Sequence, residues 1–172
     1  MVPHSLADLF FRLAEHPSLY QPRWTDDILD EVHRNHIRKG LPPERADSWR
    51  QAVTEAFPEA MVTGYRPLIA ACTNHEKDRH VLAAAIKAPA QTIVTANVRD
   101  FPLDSLKPWD IEVVRPGEYL IALYELAPAI VITKLDDIAT KKNRSREENL
   151  AFFNRIVPSF ARHIATELDL SL

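Results

Sequence analysis

Two aspartates flank a predicted helix and strand in the segment HEKDRHVLAAAIKAPAQTIVTANVRDFP, residues 75–102. Asp78 begins the helix, and Asp100 follows the strand, which is predicted over residues 92–96. The helix travels ~16 Å at about 1.5 Å per residue, and a returning strand of five or six residues covers roughly 17 to 20 Å. The chain is therefore expected to return to its starting edge, where Asp78, Asn97 and Asp100 lie together at the carboxyl ends of the strands.

A third acid comes from an earlier predicted helix, which follows the capping residue Thr25 and ends near Gly40. Glu31 borders the apolar side of that helix and joins the two aspartates if the helix starts at the same edge. Carboxylates crowded in a half-buried crevice repel one another unless a cation neutralises them. All-oxygen ligands favour Mg²⁺ or Mn²⁺, and such a metal can activate water and stabilise an in-line displacement at phosphorus. The pattern favours a divalent metal site.

Each acid also has an ordinary structural explanation. Asp78 fits a favourable partner of the helix dipole, and Asp100 fits a turn former. Glu31 fits a partner of Arg34 or Asn35 on a solvated helix flank. Taken one at a time these explanations are favoured, and the shared sheet edge is what favours the metal site.

A zinc site is a further alternative, suggested by His75, Glu76, Asp78 and His80. A catalytic zinc usually needs three protein ligands in compatible geometry, and the two histidines are not spaced i, i+4 on one helix. The oxygen-ligand site is therefore preferred. The sequence contains no Gly-rich phosphate loop, nucleophile elbow or Cys/His pairing.

The composition of the chain is that of an ordinary globular protein and indicates no particular binding partner. The chain has 172 residues, 46% of them hydrophobic and 26% charged, with a formal net charge of -3. The charge provides no global attraction to nucleic acid, so a polyanion would need a local patch. Cys72 is the one cysteine, which excludes an internal disulfide framework. With no apolar run of membrane-spanning length, the prediction is a soluble cytoplasmic protein without membrane contact.

Strands and helices alternate in the first part of the chain, which predicts an α/β fold around a parallel sheet. The strand over residues 92–96 is apolar enough to be an interior strand with no wet face. After Pro128 the alternation stops and three helices follow, the second opened by a capping box from Ser145 to Glu148. The predicted organisation is an α/β domain over residues 1–127 and a C-terminal helical extension over residues 128–172.

A basic stretch lies between two of the C-terminal helices. It contains Lys141, Lys142 and Arg144, and its simplest interpretation is a solvated loop. The functional alternative is a patch that contacts phosphate groups.

The stretches DRHVLAAAI, IVTANVRDFP, RLAE and YQPRWTDDILDEVHRN together resemble the PIN-domain family, in particular VapC-like toxins with a C-terminal helical extension. The resemblance implies a three-layer α/β/α fold and a metal-dependent endoribonuclease of a type II toxin–antitoxin pair. It implies that Glu31, Asp78 and Asp100 hold Mg²⁺ or Mn²⁺, with Asn97 and Thr95 beside Asp100 and Asn97 as a fourth candidate ligand. Arg79 is a further candidate for substrate contact.

The first acid of the family pattern, which ends the first strand, has no counterpart here. The chain begins Met1-Val2-Pro3, and Pro3 cannot donate to a strand ladder. We expect weaker cation binding and low or no activity if this acid is truly missing. An upstream start codon is the alternative. Loss of a middle strand would leave backbone groups unpaired, so a homo-oligomer or a swapped assembly is expected.

Two functions follow from these expectations. One is a ribonuclease with an RNA substrate and a cognate antitoxin partner. The other is a catalytically inactive, truncated module that still binds RNA or an antitoxin-type protein. Retention of three acids favours the first, whereas the missing acid favours the second.

Overall fold

The computed structural model describes residues 4–171. It contains two compact units, one formed by residues 22–114 and the other by residues 4–21 together with residues 115–171. These units differ from the division at residue 127 suggested by the sequence, and that two-domain division stays a prediction. The expectation that Met1, Val2 and Pro3 form no strand falls on residues outside those described.

Helices α1 to α9 and strands β1 and β2 are numbered along the whole chain. The helices are α1 (His4–Ala14), α2 (Asp26–Arg38), α3 (Pro43–Ala56), α4 (Arg79–Lys87), α5 (Leu103–Leu106), α6 (Pro116–Leu126), α7 (Pro128–Lys141), α8 (Arg146–Asn154) and α9 (Pro158–Glu167). The strands are β1 (Thr92–Val94) and β2 (Glu112–Val114). Short 3₁₀ turns lie between them at Pro58–Ala60, Arg66–Ala71, Glu76–Asp78, Val98–Asp100 and Lys107–Trp109.

The sheet of the first unit is small and parallel. β1 pairs with β2 in the register Thr92 to Glu112, Ile93 to Val113 and Val94 to Val114. A parallel bridge also joins Trp24 to Met61. These features confirm the α/β fold class, although the strand count within residues 4–171 is low.

β1 differs from the strand that its sequence predicts. It ends at Val94 rather than Ala96, and only Ile93 of its three residues is fully buried. Thr92 is half-buried and donates its hydroxyl to the Glu112 carboxylate at 3.1 Å. The expectation of an interior strand without a wet face is therefore wrong, because this strand has just one ladder partner among the described residues.

Four helices, α2 to α5, and a set of turns lie in the first unit. Thr25 is completely buried and caps α2 by accepting from the backbone N–H of Ile28 at 3.2 Å. α4 supplies four consecutive buried apolar side chains to the core, so most of the circumference of the helix is covered at this point. Its buried cluster consists of Tyr65, Cys72, Leu82, Ala83, Ala84, Ala85, Ile93, Phe101, Leu106 and Ile111.

The second unit is helical, with α1 and α7 packed together and α6, α8 and α9 completing it. Pro116, Pro128 and Pro158 each occupy a first helical position, where a missing N–H has no cost. The capping box predicted from Ser145 to Glu148 is present at the start of α8. The largest fully buried side chains of this unit include Phe153, Phe160, Leu9 and Leu13.

Among residues 4–171, no helix combines the length and the apolar character that a bilayer span requires.

Candidate active site

Asp78 lies at the junction between the Glu76–Asp78 turn and α4. It is the N-cap residue of α4, yet its side chain makes no capping hydrogen bond. The turn is held instead by His75, whose Nδ1 accepts from the Lys77 backbone N–H at 3.4 Å. The Asp78 carboxylate therefore does not cap the start of α4, which argues against a purely local role in helix capping.

Asp100 belongs to a second turn, Val98–Asp100, which follows β1. The side-chain amide of Asn97 donates to the Asp100 carboxylate, and the Asp100 N–H donates to the Asn97 carbonyl at 3.2 Å. The backbone N–H of His75 donates to the Asp100 carbonyl at 3.0 Å. This last bond ties the two turns to each other, so the side chains that they present are held side by side.

The two turns bring three possible metal ligands into one close group. One ligand atom each from His75, Asp78 and Asp100 lie within 4.8 Å of one another. Asp78 and Asp100 are half-buried, whereas His75 is exposed. The proximity of Asp78 and Asp100 agrees with the helix and strand lengths, but their role as ligands stays a prediction.

The electrostatics of this group are those of crowded acids. Burial, the hydrogen-bonded carboxyl of Asp100 and the negative charges of Asp100 and Glu31 raise the pKa of Asp78 above its usual range. His80 acts in the opposite direction. A carboxyl whose ionised form is disfavoured in this way gains from a nearby cation.

The group opens into a cavity of about 700 Å³ within the first unit. All four ligands proposed from the sequence, Glu31, Asp78, Asn97 and Asp100, line this cavity. Glu31 is not part of the closest group of ligand atoms. Its Oε2 lies 3.9 Å from His80 Nε2, and this pair replaces the partnership with Arg34 or Asn35 considered from the sequence. The remaining lining residues are Asp27, Asp30, Arg34, His75, Lys77 and His80.

The cavity contains two further acids, and both have partners of their own. Asp27 accepts from the Tyr65 hydroxyl and from Arg66 Nη2, the latter at 2.9 Å, and these hydrogen bonds lower the pKa of Asp27. Asp30 accepts from Arg50 Nη1. The five acids of the cavity thus divide into two that pair with nearby donors and three, Glu31, Asp78 and Asp100, that have no Arg or Lys partner within the described residues.

The other predicted contacts lie away from this group. Thr95 accepts from the Asn97 backbone N–H at 3.1 Å, and Arg79 Nε donates to the Asn74 carbonyl at 3.2 Å. Neither residue lines the cavity.

The predicted basic stretch belongs to the second unit. Lys141 and Lys142 are exposed at the end of α7. The Arg144 guanidinium lies 4.2 Å from the centre of the Phe152 ring, a cation–π contact. A role of these residues in binding substrate stays a prediction.

Several cavity residues were not predicted from the sequence. His75 was considered for zinc with His80, but the structure places it beside Asp78 and Asp100, and places His80 beside Glu31. A usable signal existed on α2, where Asp30 and Arg34 are spaced i, i+4 and therefore share a helix face. For Lys77 no sequence signal was available, because its position depends on the 3₁₀ turn.

A cavity lined by carboxylates at the edge of an α/β unit defines a candidate cation-binding site. The chain is 40% identical over 126 residues to a Mycobacterium tuberculosis protein named "Putative ribonuclease VapC50", an alignment that covers 69% of this chain and 74% of that protein. The chain therefore belongs to the VapC family. No family model matches the sequence, and no solved structure gives a significant match. The C-terminal extension inferred from the resemblance stays a prediction.

Proposed function

We propose that this protein is a metal-dependent endoribonuclease and the toxin of a type II toxin–antitoxin system. The observation that carries the proposal is the convergence of Glu31, Asp78 and Asp100 on one cavity without a neutralising Arg or Lys partner. Membership of the VapC family and a relative named as a ribonuclease support RNA as the substrate.

The donor set fits a hard divalent cation. Carboxylate oxygens dominate the close group. Burial first, and then the hydrogen-bonded Asp100 carboxyl and the charges of Asp100 and Glu31, raise the pKa of Asp78, so its ionised form would gain from a bound cation. Asp78, Asp100 and Glu31 would hold Mg²⁺ or Mn²⁺, with the Asn97 amide oxygen as a further donor. When bound, the cation would supply an activated water and neutralise charge on the phosphodiester.

The protein's own groups have separate tasks in this proposal. Asn97 orients the Asp100 carboxylate through its amide N–H, and the His75 N–H fixes the backbone of Asp100. Glu31 and His80 lie together in the lining of the cavity, where they can orient water or a phosphate oxygen.

The proposed function includes partners and a location. We predict an RNA substrate, an antitoxin protein and a cytoplasmic site of action, all from family membership and the sequence. The predicted impairment by a missing first acid is checked by comparing this chain with one extended upstream by a strand that carries Asp. Equal cleavage by both chains would refute it.

The decisive experiment measures cleavage of generic RNA in Mn²⁺, with and without a chelator. Asp100→Asn should lower the rate of cleavage at least about tenfold, because loss of a carboxylate ligand weakens metal binding. Asp104→Asn is the matched control, since Asp104 is exposed, lies in the same unit and does not line the cavity. Metal-independent cleavage, or equal loss in both variants, would contradict the proposal. RNA binding without cleavage by the unaltered chain would favour the inactive binding module.

A further inference from the structure

Two cations line the acid-rich cavity without pairing with its acids. Arg34 follows Asp30 by four residues on α2, a spacing at which opposite charges on a helix commonly pair. Asp30 pairs with Arg50 instead, and Glu31 lies beside His80. Within residues 4–171, neither Arg34 nor Lys77 has an ion pair or a side-chain hydrogen bond. Both cations are exposed and free to meet a ligand.

The two cations also leave the acid group uncompensated. Within residues 4–171, neither Arg34 nor Lys77 forms a salt bridge with Glu31, Asp78 or Asp100. They come from separate elements, α2 and the Glu76–Asp78 turn, and both line the same cavity.

An RNA strand that enters this cavity meets five carboxylates, which repel its phosphates. A cation bound at the acids would offset this repulsion only locally, at the phosphate that is cleaved. The neighbouring phosphates need positive charge from the protein. Arg offers a planar fork of donors that matches two phosphate oxygens, and Lys offers a compact point charge.

We infer that Arg34 and Lys77 bind the phosphates of the RNA strand next to the one that is cleaved. The inference rests on the proposed function for the identity of its ligand and adds two substrate-binding residues to it. It places the strand across the cavity, from α2 to the turn before α4.

The test is the binding of a fluorescently labelled single-stranded oligoribonucleotide, measured by anisotropy in Ca²⁺ with the probe checked for integrity afterwards. Arg34→Ala and Lys77→Ala should each weaken binding roughly threefold to tenfold at low salt and reduce the slope of log affinity against log salt by ~0.7, the value for one phosphate contact on a single strand. The double variant should lose both contacts, and Arg34→Lys should retain most of the slope.

Arg38→Ala and Lys107→Ala are the matched controls. Both residues are exposed cations of the same unit that do not line the cavity, so these variants change net charge equally. They should bind like the unaltered chain, and circular dichroism should show all variants folded. An affinity and slope in the double variant equal to those of the controls would overturn the inference, as would an unaltered chain that binds no RNA.

Cleavage in Mn²⁺ separates this inference from the proposed function. If the unaltered chain cleaves RNA but the double variant binds RNA like its controls, the proposed function stands and the inference fails. If the variants weaken binding but the unaltered chain does not cleave, Arg34 and Lys77 still bind RNA phosphates, whereas the ribonuclease proposal and the placement beside a cleaved phosphate fail.

Discussion

At the scale of single residues, the acids of the cavity differ in whether an arginine is paired with them. Asp27 and Asp30 are matched by donors on neighbouring segments, whereas Asp78 faces Asp100 and Glu31. The sequence predicts the proximity of Asp78 and Asp100, because the lengths of one helix and one strand are enough to estimate it. The placement of His75 and Lys77 depends on the turn and its bond to Asp100, which local sequence does not specify.

Asp78→Asn tests the proposed metal role directly. The substitution removes a negative charge from a crowded site, so the metal-free free energy of unfolding should rise or stay within about 0.5 kcal/mol. Mn²⁺ affinity, measured by isothermal titration calorimetry, should fall at least about tenfold because a ligand is lost. The control is Asp104→Asn. Unchanged Mn²⁺ affinity would instead assign Asp78 to the helix dipole.

The environment of Asp27 leads to a prediction about how the stability of the fold depends on pH. Its hydrogen bonds from Tyr65 and Arg66 lower its pKa in the folded protein, so the ionised form stabilises the fold. That contribution is present above the unfolded-state pKa of about 3.9 and is lost as pH falls through the lower folded-state value. Asp27→Asn should therefore cost about 1 kcal/mol at neutral pH, a modest value because the side chain is 36% exposed.

Urea unfolding at several pH values measures this dependence. The difference in unfolding free energy between the unaltered chain and Asp27→Asn should shrink toward acid pH. A difference that stays constant from neutral to acid pH would contradict the role of the ionised carboxylate.

At the scale of elements, helices were predicted well because their end signals are local. Thr25, Ser145 and the prolines at first helical positions fix helix starts to within one or two residues. Strands were predicted less well, since β1 is shorter and more exposed than its apolar sequence indicates. α4 begins at Arg79, one residue after the predicted start at Asp78, because Glu76–Asp78 forms a separate 3₁₀ turn. That turn is stabilised by a bond to a residue far along the chain.

Substitution of Thr25 tests how much the N-cap stabilises α2, the helix that carries cavity residues. Its hydroxyl caps α2, the helix that carries Glu31 and Arg34, and the residue is completely buried. Thr25→Val keeps the shape but removes the cap, so the free energy of unfolding should fall by about 1 kcal/mol. Thr25→Ser keeps the hydroxyl and should retain the capping contribution. Chemical denaturation of both variants measures the difference, and equal stability loss in the two would assign the effect to packing alone.

At the scale of the whole molecule, the prediction concerns self-association. The sheet described within residues 4–171 has two strands, so each strand has one edge without a ladder partner. Unpaired backbone N–H and C=O groups at such an edge favour contact with water, another segment or a second chain. We therefore predict that the protein forms a homo-oligomer.

Sedimentation equilibrium over a wide range of protein concentrations measures the mass in solution. A mass above 19.6 kDa that rises with concentration is the expected result. If association occurs through strand β1, Ile93→Pro should abolish pairing, but it also endangers folding because Ile93 is buried. Thr92→Lys is the gentler change, since Thr92 is half-buried at the strand's start and a charge at a sheet edge opposes edge pairing. A monomer at every concentration would contradict the predicted self-association.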